Sequence, residues 1–111
     1  MNTETNFTPE KWERYIAQNS AVLLYLYNTS CDICNTLRPK VKDLVQQNFP
    51  KIELVTINAA ENKELAAQLR MLSVPGIIFY MDGKEFFRAN GLIVLSDFEA
   101  KIRRPYEIMF S

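Results

Sequence analysis

The sequence predicts an α/β fold in which a central mixed β-sheet is flanked by helices on both faces. Segments with helical periodicity alternate with strand-like segments along the 111 residues, an order typical of helices packed on a sheet. The continuous apolar run Ala21–Tyr27 is too short for a free-standing helix and indicates a strand buried on both faces. Asp82-Gly83, between two strand-like segments, is a strong hairpin signal, so part of the sheet should be antiparallel. The length allows one domain, residues 1–111, with its own core.

The first helix is predicted from its starting signals. Thr8 is placed as the N-cap and Pro9 as the first helical residue, a position that proline favours. Phe7, just before the cap, is placed to pack against Trp12 as a hydrophobic staple. We therefore expect a helix that begins at Pro9 and buries Trp12.

The later elements follow from periodicity and from breakers. The expected elements are a helix at 31–47, a strand at 52–57, a helix at 62–71, a hairpin of strands at 76–80 and 85–89, and a last helix. Pro39 should kink the first of these helices. Ser96 and Glu99 have the spacing of a capping box that opens the last helix, which should end before Pro105. The core then covers about 7–104, and the apolar tail at 105–111 should pack onto its own domain, with a dimer contact as the alternative.

Charge and composition exclude several classes of function. Thirteen basic and thirteen acidic side chains cancel, so no charge excess indicates a nucleic-acid partner. The chain has no histidine, which excludes Cys/His nucleophile pairs, Ser/His/Asp triads and histidine-ligated metal sites. No segment approaches the ~20 apolar residues of a membrane helix, and the N-terminal segment lacks the pattern of a secretory leader. We therefore expect no membrane partner and a cytoplasmic location.

Cys31 and Cys34, the two cysteines of the chain, carry the chemistry that we expect. They lie three residues apart between a buried strand and a helix, so one helical turn brings both sulfurs to the same face, close enough to form a disulfide. The free amides at a helix start favour a thiolate there. In the cytoplasm such a pair cycles between dithiol and disulfide rather than serving as a permanent crosslink.

These residues resemble the thioredoxin family over about residues 7–104. A CxxC pair alone is modest evidence, but two prolines at fixed distances after it make the pattern specific. The positions that carry the resemblance, in the order and spacing of the family, are Cys31, Cys34, Pro39, Val74, Pro75, Gly83 and Gly91.

The resemblance implies a role for each site residue. Cys31 matches the exposed attacking thiol, and Cys34 matches the buried thiol that resolves the mixed disulfide. Pro75 matches the family's cis-proline beside the cysteine pair, and Val74 would offer backbone groups to an extended substrate peptide. Gly91 matches the glycine of a shallow apolar groove next to the site.

The sequence departs from the family pattern around the first cysteine. The family usually has tryptophan before it and Gly-Pro between the pair, whereas here Ser30 precedes it and Asp32 and Ile33 follow it. The carboxylate of Asp32 suits a helix start but works against a thiolate on Cys31. We therefore expect a less acidic nucleophile and a couple that leans toward reducing rather than oxidising.

A second departure lies beneath the site. The family commonly pairs a buried aspartate with a lysine on the neighbouring strand to help deprotonate the resolving thiol, and here those positions are Tyr25 and Thr56. A phenol with a pKa near ~10 is a poor base at neutral pH, and threonine brings no charge. Tyr25 can equally be a core aromatic whose hydroxyl bonds to a neighbour.

Together these observations predict a thiol-disulfide oxidoreductase that reduces disulfides in protein partners. An external reductant such as a thioredoxin reductase would recharge it, no bound cofactor or metal is expected, and a monomer is favoured over a dimer. One alternative is a thioredoxin-fold adaptor with decayed catalysis. Another is a metal or iron-sulfur centre that joins two chains through four thiolates, since one CxxC cannot close a tetrahedral site by itself.

Overall fold

The computed structural model describes residues 3–4 and 6–110. Their elements are β1 (Thr3–Glu4), α1 (Pro9–Gln18), β2 (Ala21–Tyr27), α2 (Asp32–Asn48), β3 (Glu53–Asn58), α3 (Lys63–Gln68), β4 (Gly76–Met81), β5 (Lys84–Asn90) and α4 (Leu95–Phe110). No helix in this part of the chain has the length and apolar character needed to cross a bilayer.

The strands form one mixed sheet in the order β1-β3-β2-β4-β5. β1, β3 and β2 run parallel, whereas β4 is antiparallel to both β2 and β5. The edge strand β1 consists of two described residues, with Asn2 and Thr5 outside the described part of the chain. Because Leu26 of β2 pairs with Gly76, and Gly76 pairs with Asn90, the loops that follow β2, precede β4 and follow β5 lie at the same edge of the sheet.

Side chains of β2 alternate between two hydrophobic clusters, one on each face of the sheet. Tyr25 and its odd-numbered neighbours pack with α2 and α4, and Leu24 and its even-numbered neighbours pack with α1 and α3. All seven residues of β2 are buried, as expected for a central strand covered by helices on both faces. The structure thus confirms the predicted sheet with helices on both faces.

The start of α1 has the predicted geometry. Thr8 Oγ1 accepts a hydrogen bond from the Lys11 N–H at 3.2 Å, and the Phe7 and Trp12 rings meet edge to face with their centroids 5.0 Å apart. Inside the core, Trp12 Nε1 donates to the Tyr80 hydroxyl at 3.2 Å. The cap and the staple together fix where the helix begins and which face it buries.

The hairpin turn also follows its sequence. Asp82 and Gly83 adopt φ of +52° and +78°, and Met81 pairs directly with Lys84. Two positive φ values in succession are required by the type I′ turn, which explains the Asp-Gly pair.

The prediction of a helix at 62–71 was wrong at its end, since α3 stops at Gln68. The Arg70 N–H donates to the Ala67 carbonyl and the Met71 N–H to the Ala66 carbonyl, both at 3.0 Å, while Arg70 takes a φ of +57°. This is a Schellman closure, which normally carries glycine at the left-handed position. Because arginine does not favour this conformation, the sequence did not indicate that the helix ends here.

The prediction that the last helix ends before Pro105 was also wrong. α4 begins at Leu95, so Ser96 lies inside the first turn rather than at the cap, and the helix continues through Pro105 to Phe110. Proline removes the amide hydrogen bond to the carbonyl four residues earlier. Packing of the last turn compensates, because three side chains beyond the proline contact the core: Tyr106, Met109 and Phe110. The tail therefore packs onto its own domain as expected, with Ser111 outside the described residues.

Candidate active site

The two cysteines lie at the N-terminus of α2 and are joined by a disulfide. Cys31 is the N-cap of the helix and Cys34 lies in its first turn, with their Cα atoms 5.2 Å apart. The Cys34 N–H donates to the Cys31 sulfur at 3.1 Å. An amide at a helix start that already points at this sulfur would also stabilise a thiolate there after reduction.

The two sulfurs differ in their access to solvent. Cys31 is partly exposed, whereas Cys34 is fully buried in the cluster beneath α2. A partner sulfur arriving from outside can therefore reach Cys31 but not Cys34. Thiol-disulfide exchange requires direct approach to the sulfur under attack, so the structure imposes an order on any reaction at this pair.

The loop before β4 lies at the same edge of the sheet as the disulfide. The Val74–Pro75 peptide bond is cis, Val74 is half-buried and Pro75 is buried. The Gly91 N–H donates to the Pro75 carbonyl at 2.9 Å, which ties the loop after β5 to this turn. Gly91 has a φ of +75°, and a Cβ atom there would meet nothing within 4 Å. The structure thus brings together Val74, Pro75 and Gly91 at the edge of the sheet that also carries Cys31.

Tyr25 lies directly beneath the resolving cysteine. Its hydroxyl donates to the Cys34 carbonyl at 2.7 Å, and burial raises the pKa of Tyr25 to about 12. A phenol held neutral and already committed as a donor cannot take a proton from a thiol at neutral pH. This geometry agrees with the simpler interpretation of Tyr25 as a core aromatic whose hydroxyl is satisfied.

Arg38 is a residue that the sequence analysis missed. Tyr25 and Thr56 are register partners on β2 and β3, and Arg38 donates to Thr56 Oγ1 at 3.3 Å. The guanidinium also lies over the Tyr27 ring, 4.4 Å from its centroid, and burial lowers its pKa. A positively charged side chain therefore reaches Thr56 and Tyr27 from α2. In the family pattern the positive charge would instead come from a lysine on β3, at the position of Thr56. The available signal was the spacing from Cys34, because residues four apart share a helix face.

The two residues flanking Cys31 are exposed. The Ser30 Oγ donates a hydrogen bond to Asn28 Oδ1 at 3.0 Å, a contact within the loop that follows β2. Asp32 is the first residue of α2 and is exposed. Its carboxylate therefore sits where a helix start favours negative charge, next to the sulfur that a partner can reach.

Two exposed leucines near this edge were also missed by the sequence analysis. Leu72 precedes the cis turn and is 85% exposed, and Leu92 follows Gly91 and is 90% exposed. Apolar side chains in loops give no periodic signal, so only the structure shows that both belong to one edge.

The described residues offer no ready metal centre. No group of three or more His, Cys, Asp or Glu side chains in residues 3–4 and 6–110 is arranged to hold an ion. The thiolates that a metal would need are those of Cys31 and Cys34, which are joined to each other here.

The buried hydroxyl of Tyr25 gives a pH-dependent prediction for stability. The folded pKa is about 12, above the ~10 of an unfolded chain. Stability from the neutral phenol is therefore complete below pH ~10 and is lost as the pH rises from there toward 12. We expect the Tyr25→Phe variant to be less stable than wild type at pH 8 by about 1 kcal/mol, the net value of one hydrogen bond.

The measurement is urea unfolding of the disulfide form at pH 8, 10 and 11.5. The difference in unfolding free energy between wild type and Tyr25→Phe should close and then reverse sign at the highest pH, because wild type loses on the order of 2 kcal/mol as the phenol ionises. A constant gap across this range would contradict the assignment of the raised pKa to this hydroxyl.

Comparison with known proteins finds relatives that match most of the chain. The family model described as Thioredoxin matches residues 3–104. Thioredoxin-like protein YdfQ of Bacillus subtilis is 29% identical over 86% of this chain and 85% of its own length. Thioredoxin 1 of Synechococcus elongatus is 28% identical over 82% of this chain and 81% of its own length.

Solved structures show the same fold. A mutant thioredoxin of Halobacterium salinarum superposes with a TM-score of 0.80 at 22% identity, over 92% of this chain and 88% of that one. Thioredoxin of Fasciola hepatica superposes with a TM-score of 0.76 at 26% identity, over 86% of this chain and 93% of that one. These likenesses confirm the predicted fold.

Proposed function

Because the chain belongs to the thioredoxin family, we propose that it is a thiol-disulfide oxidoreductase that reduces disulfides in protein partners through Cys31 and Cys34. The observation that carries the proposal is the pairing of a partly exposed sulfur with a fully buried one at the start of a helix. Relatives named thioredoxin, such as that of Synechococcus elongatus, support an oxidoreductase activity.

The proposed cycle transfers two electrons from the cysteine pair to the substrate. The Cys31 thiolate attacks one sulfur of the substrate disulfide, and the other substrate sulfur leaves as a thiolate that takes a proton from solvent. The Cys34 thiol loses its proton to solvent, and its sulfur then attacks Cys31. The second substrate sulfur leaves as a thiolate that takes a proton from solvent, so the substrate ends as a dithiol and Cys31 and Cys34 end as the disulfide.

The loops beside the cysteines would hold the substrate during this exchange. The half-buried Val74 would offer its backbone groups to an extended peptide, with Pro75 shaping the turn and Gly91 leaving room for the chain to pass. The absence of any atom within 4 Å of a Cβ at Gly91 supports this assignment.

Asp32 should moderate the nucleophile. Removing its charge in Asp32→Asn should lower the pKa of the Cys31 thiol, because a neighbouring carboxylate disfavours the thiolate. Alkylation of reduced protein by iodoacetamide at pH 7 should then be roughly twofold to threefold faster, a modest factor because exposed charges are screened. The matched control is Asp43→Asn, an exposed carboxylate one turn beyond Pro39 on the same helix, and equal rates for both variants would contradict the effect. Ser30 stands where the family has an aromatic side chain, so it leaves the surface beside Cys31 more open.

Recycling would depend on another protein. We propose that an external reductant such as a thioredoxin reductase returns the disulfide to the dithiol, and that no bound cofactor takes part. Because the Asp32 carboxylate lies beside Cys31, the Cys31–Cys34 pair should have a reducing rather than an oxidising potential. A redox titration that finds a strongly oxidising couple would contradict this. We further propose a cytoplasmic monomer with no nucleic-acid or membrane partner.

Insulin reduction tests the proposed activity. With dithiothreitol as the reductant, catalytic amounts of wild type should accelerate precipitation of the insulin chains. The Cys31→Ser variant, in which the exposed nucleophile is lost, should fall to the uncatalysed rate. Activity that survives in this variant would overturn the role of Cys31, and no activity in wild type at high concentration would overturn the enzyme proposal.

One observation favours a second candidate, a thioredoxin-fold adaptor with weak catalysis. Beneath Cys34 the structure has a neutral phenol and Thr56, neither of which can deprotonate the resolving thiol at neutral pH. An adaptor would bind partner proteins through the same edge without turning them over. Binding of a protein partner that persists in Cys31→Ser, together with an inactive wild type, would support this candidate.

A further inference from the structure

We propose that Arg38 is a positioning residue for the resolving step and that its guanidinium favours the thiolate of Cys34 while this sulfur attacks Cys31. The inference rests on the proposed reductase function and adds a residue to it. Tyr25 and Thr56 beneath Cys34 offer no base at neutral pH. A nearby positive charge is a second way to favour loss of a thiol proton, because it stabilises the thiolate that forms.

The helix brings Arg38 and Cys34 to the same face of α2. Residues four apart on a helix are neighbours on its surface, with Cβ atoms about 5–6 Å apart. Cys34 is fully buried in the cluster between α2 and the sheet, and Arg38 is half-buried. The two side chains therefore start side by side above the same part of the sheet.

Two contacts fix the guanidinium of Arg38 in the layer between α2 and the sheet. Its Nη2 donates to Thr56 Oγ1 at 3.3 Å, and its Cζ lies 4.4 Å from the centroid of the Tyr27 ring. Thr56 is 1% exposed and is the register partner of Tyr25. Tyr25 stacks on Tyr27 with 6.5 Å between ring centroids and donates its hydroxyl hydrogen bond to the Cys34 carbonyl at 2.7 Å. A short series of contacts thus connects the guanidinium to the residue that carries the resolving sulfur.

The other groups around Cys34 are neutral or lie at the surface. The buried side chains that the strands and α4 contribute to its cluster carry no charge at neutral pH. The titratable ones among them are the phenols of Tyr25 and Tyr27, and burial raises the pKa of both. The nearby carboxylates are those of Asp32 at the start of α2 and Glu61 in the loop after β3, and both residues are exposed. Solvent screens exposed charges more than a half-buried one, so the guanidinium should have the larger effect on the sulfur.

This charge should affect the rate of resolution and its dependence on pH. Without the cation, the pKa of the Cys34 thiol should be higher, so a smaller fraction is thiolate at pH 7. A thiolate of higher pKa is also more nucleophilic, with a Brønsted coefficient of about 0.4–0.5, which offsets nearly half of the loss on a logarithmic scale. The loss of rate should therefore be modest at pH 7 and should shrink as the pH rises and Cys34 ionises.

A single-turnover reaction of the reduced protein with 4,4′-dithiodipyridine separates the two steps. Attack by the Cys31 thiolate releases one thiopyridone and leaves the other half of the reagent on Cys31 as a mixed disulfide. Cys34 then loses its proton to solvent and attacks Cys31, which releases the second thiopyridone and forms the Cys31–Cys34 disulfide. Stopped-flow absorbance follows both releases. The second phase is intramolecular, so its rate should not depend on the concentration of the reagent.

Arg38→Gln should slow the second phase roughly threefold at pH 7 and leave the first phase at the wild-type rate. Measured from pH 7 to pH 10, the difference from wild type should shrink steadily. Arg38→Lys keeps the positive charge and should recover most of the rate of the second phase. The matched control is Lys42→Gln, which removes an exposed cation one turn further along α2 and should change neither phase.

The outcomes distinguish the inference from the proposed function. A second phase of equal rate in wild type and Arg38→Gln would overturn the role of Arg38 and leave the reductase function standing. Slowing by the same factor at every pH, or slowing that Arg38→Lys shares in full, would show that the side chain only supports the packing of α2, which also overturns the inference. A wild type without a first phase would overturn the reductase function together with the inference.

Discussion

Replacing Cys34 with serine should convert the protein from a catalyst into a trap. Cys31 keeps its exposure and the amide that points at its sulfur, so it should still attack a substrate disulfide. The mixed disulfide would then persist, because the buried sulfur that displaces the product is gone. Intramolecular attack by a positioned group corresponds to effective molarities of 10⁵ M and above. Replacing it with millimolar external thiol should reduce turnover by a factor on the order of 10³ or more.

Non-reducing electrophoresis and mass spectrometry after incubation with insulin give the measurement. Cys34→Ser should accumulate a covalent adduct with one insulin chain, which dithiothreitol releases. Cys31→Ser is the matched control and should form no adduct, since Cys34 is inaccessible in the folded protein. An adduct formed equally well by both variants would show that the order of attack inferred from burial is wrong.

Ending the chain at Arg104 should lower the free energy of unfolding by about 3 kcal/mol, the scale of burying one to two large apolar side chains. Tyr106 packs its ring 5.0 Å from Phe49 and 4.9 Å from Phe110, measured between centroids, and its hydroxyl accepts the Lys51 N–H at 3.1 Å. Truncation would remove these contacts and expose Phe49, which is fully buried.

Urea unfolding followed by tryptophan fluorescence measures the loss as a lower midpoint. The control Ile108→Ala alters a side chain of the same last turns that is 69% exposed, so it should change stability by less than about 0.5 kcal/mol. A truncated protein as stable as wild type would show that the helical turns beyond Pro105 do not contribute to the stability of the fold.

Local signals were sufficient for much of the fold. A threonine cap followed by proline fixes the start of α1, and two residues that tolerate positive φ fix the hairpin, because both effects involve only neighbouring backbone groups. The run at Ala21–Tyr27 predicts a buried central strand, since no exposed strand could carry seven apolar residues. The spacing of Cys31 and Cys34 likewise predicts that the sulfurs meet, because one helical turn brings them to the same face.

The errors occurred where distant contacts outweighed local preference. Pro105 has a strong tendency to end a helix, but packing of the following turn against Phe49 offsets the lost hydrogen bond. Arg70 closes α3 in a conformation that usually takes glycine, at a turn where Arg88 of β5 donates to the Leu69 carbonyl at 2.9 Å. Neither contact is visible from the few residues on each side.

The sequence by itself determined the chemistry of this protein: two sulfurs one turn apart at the start of a helix, with a carboxylate beside the first and no histidine anywhere in the chain. The tertiary structure shows the exposure of Cys31 and the burial of Cys34 that the family resemblance implied. It alone decided that Arg38 reaches Thr56 from α2 and that Leu72 and Leu92 stand at one edge. The physical reason is the distance along the chain over which each effect acts. Helix capping and spacing act within one turn, whereas exposure and neighbourhood at a site are set by strand register and by loops far apart in the chain.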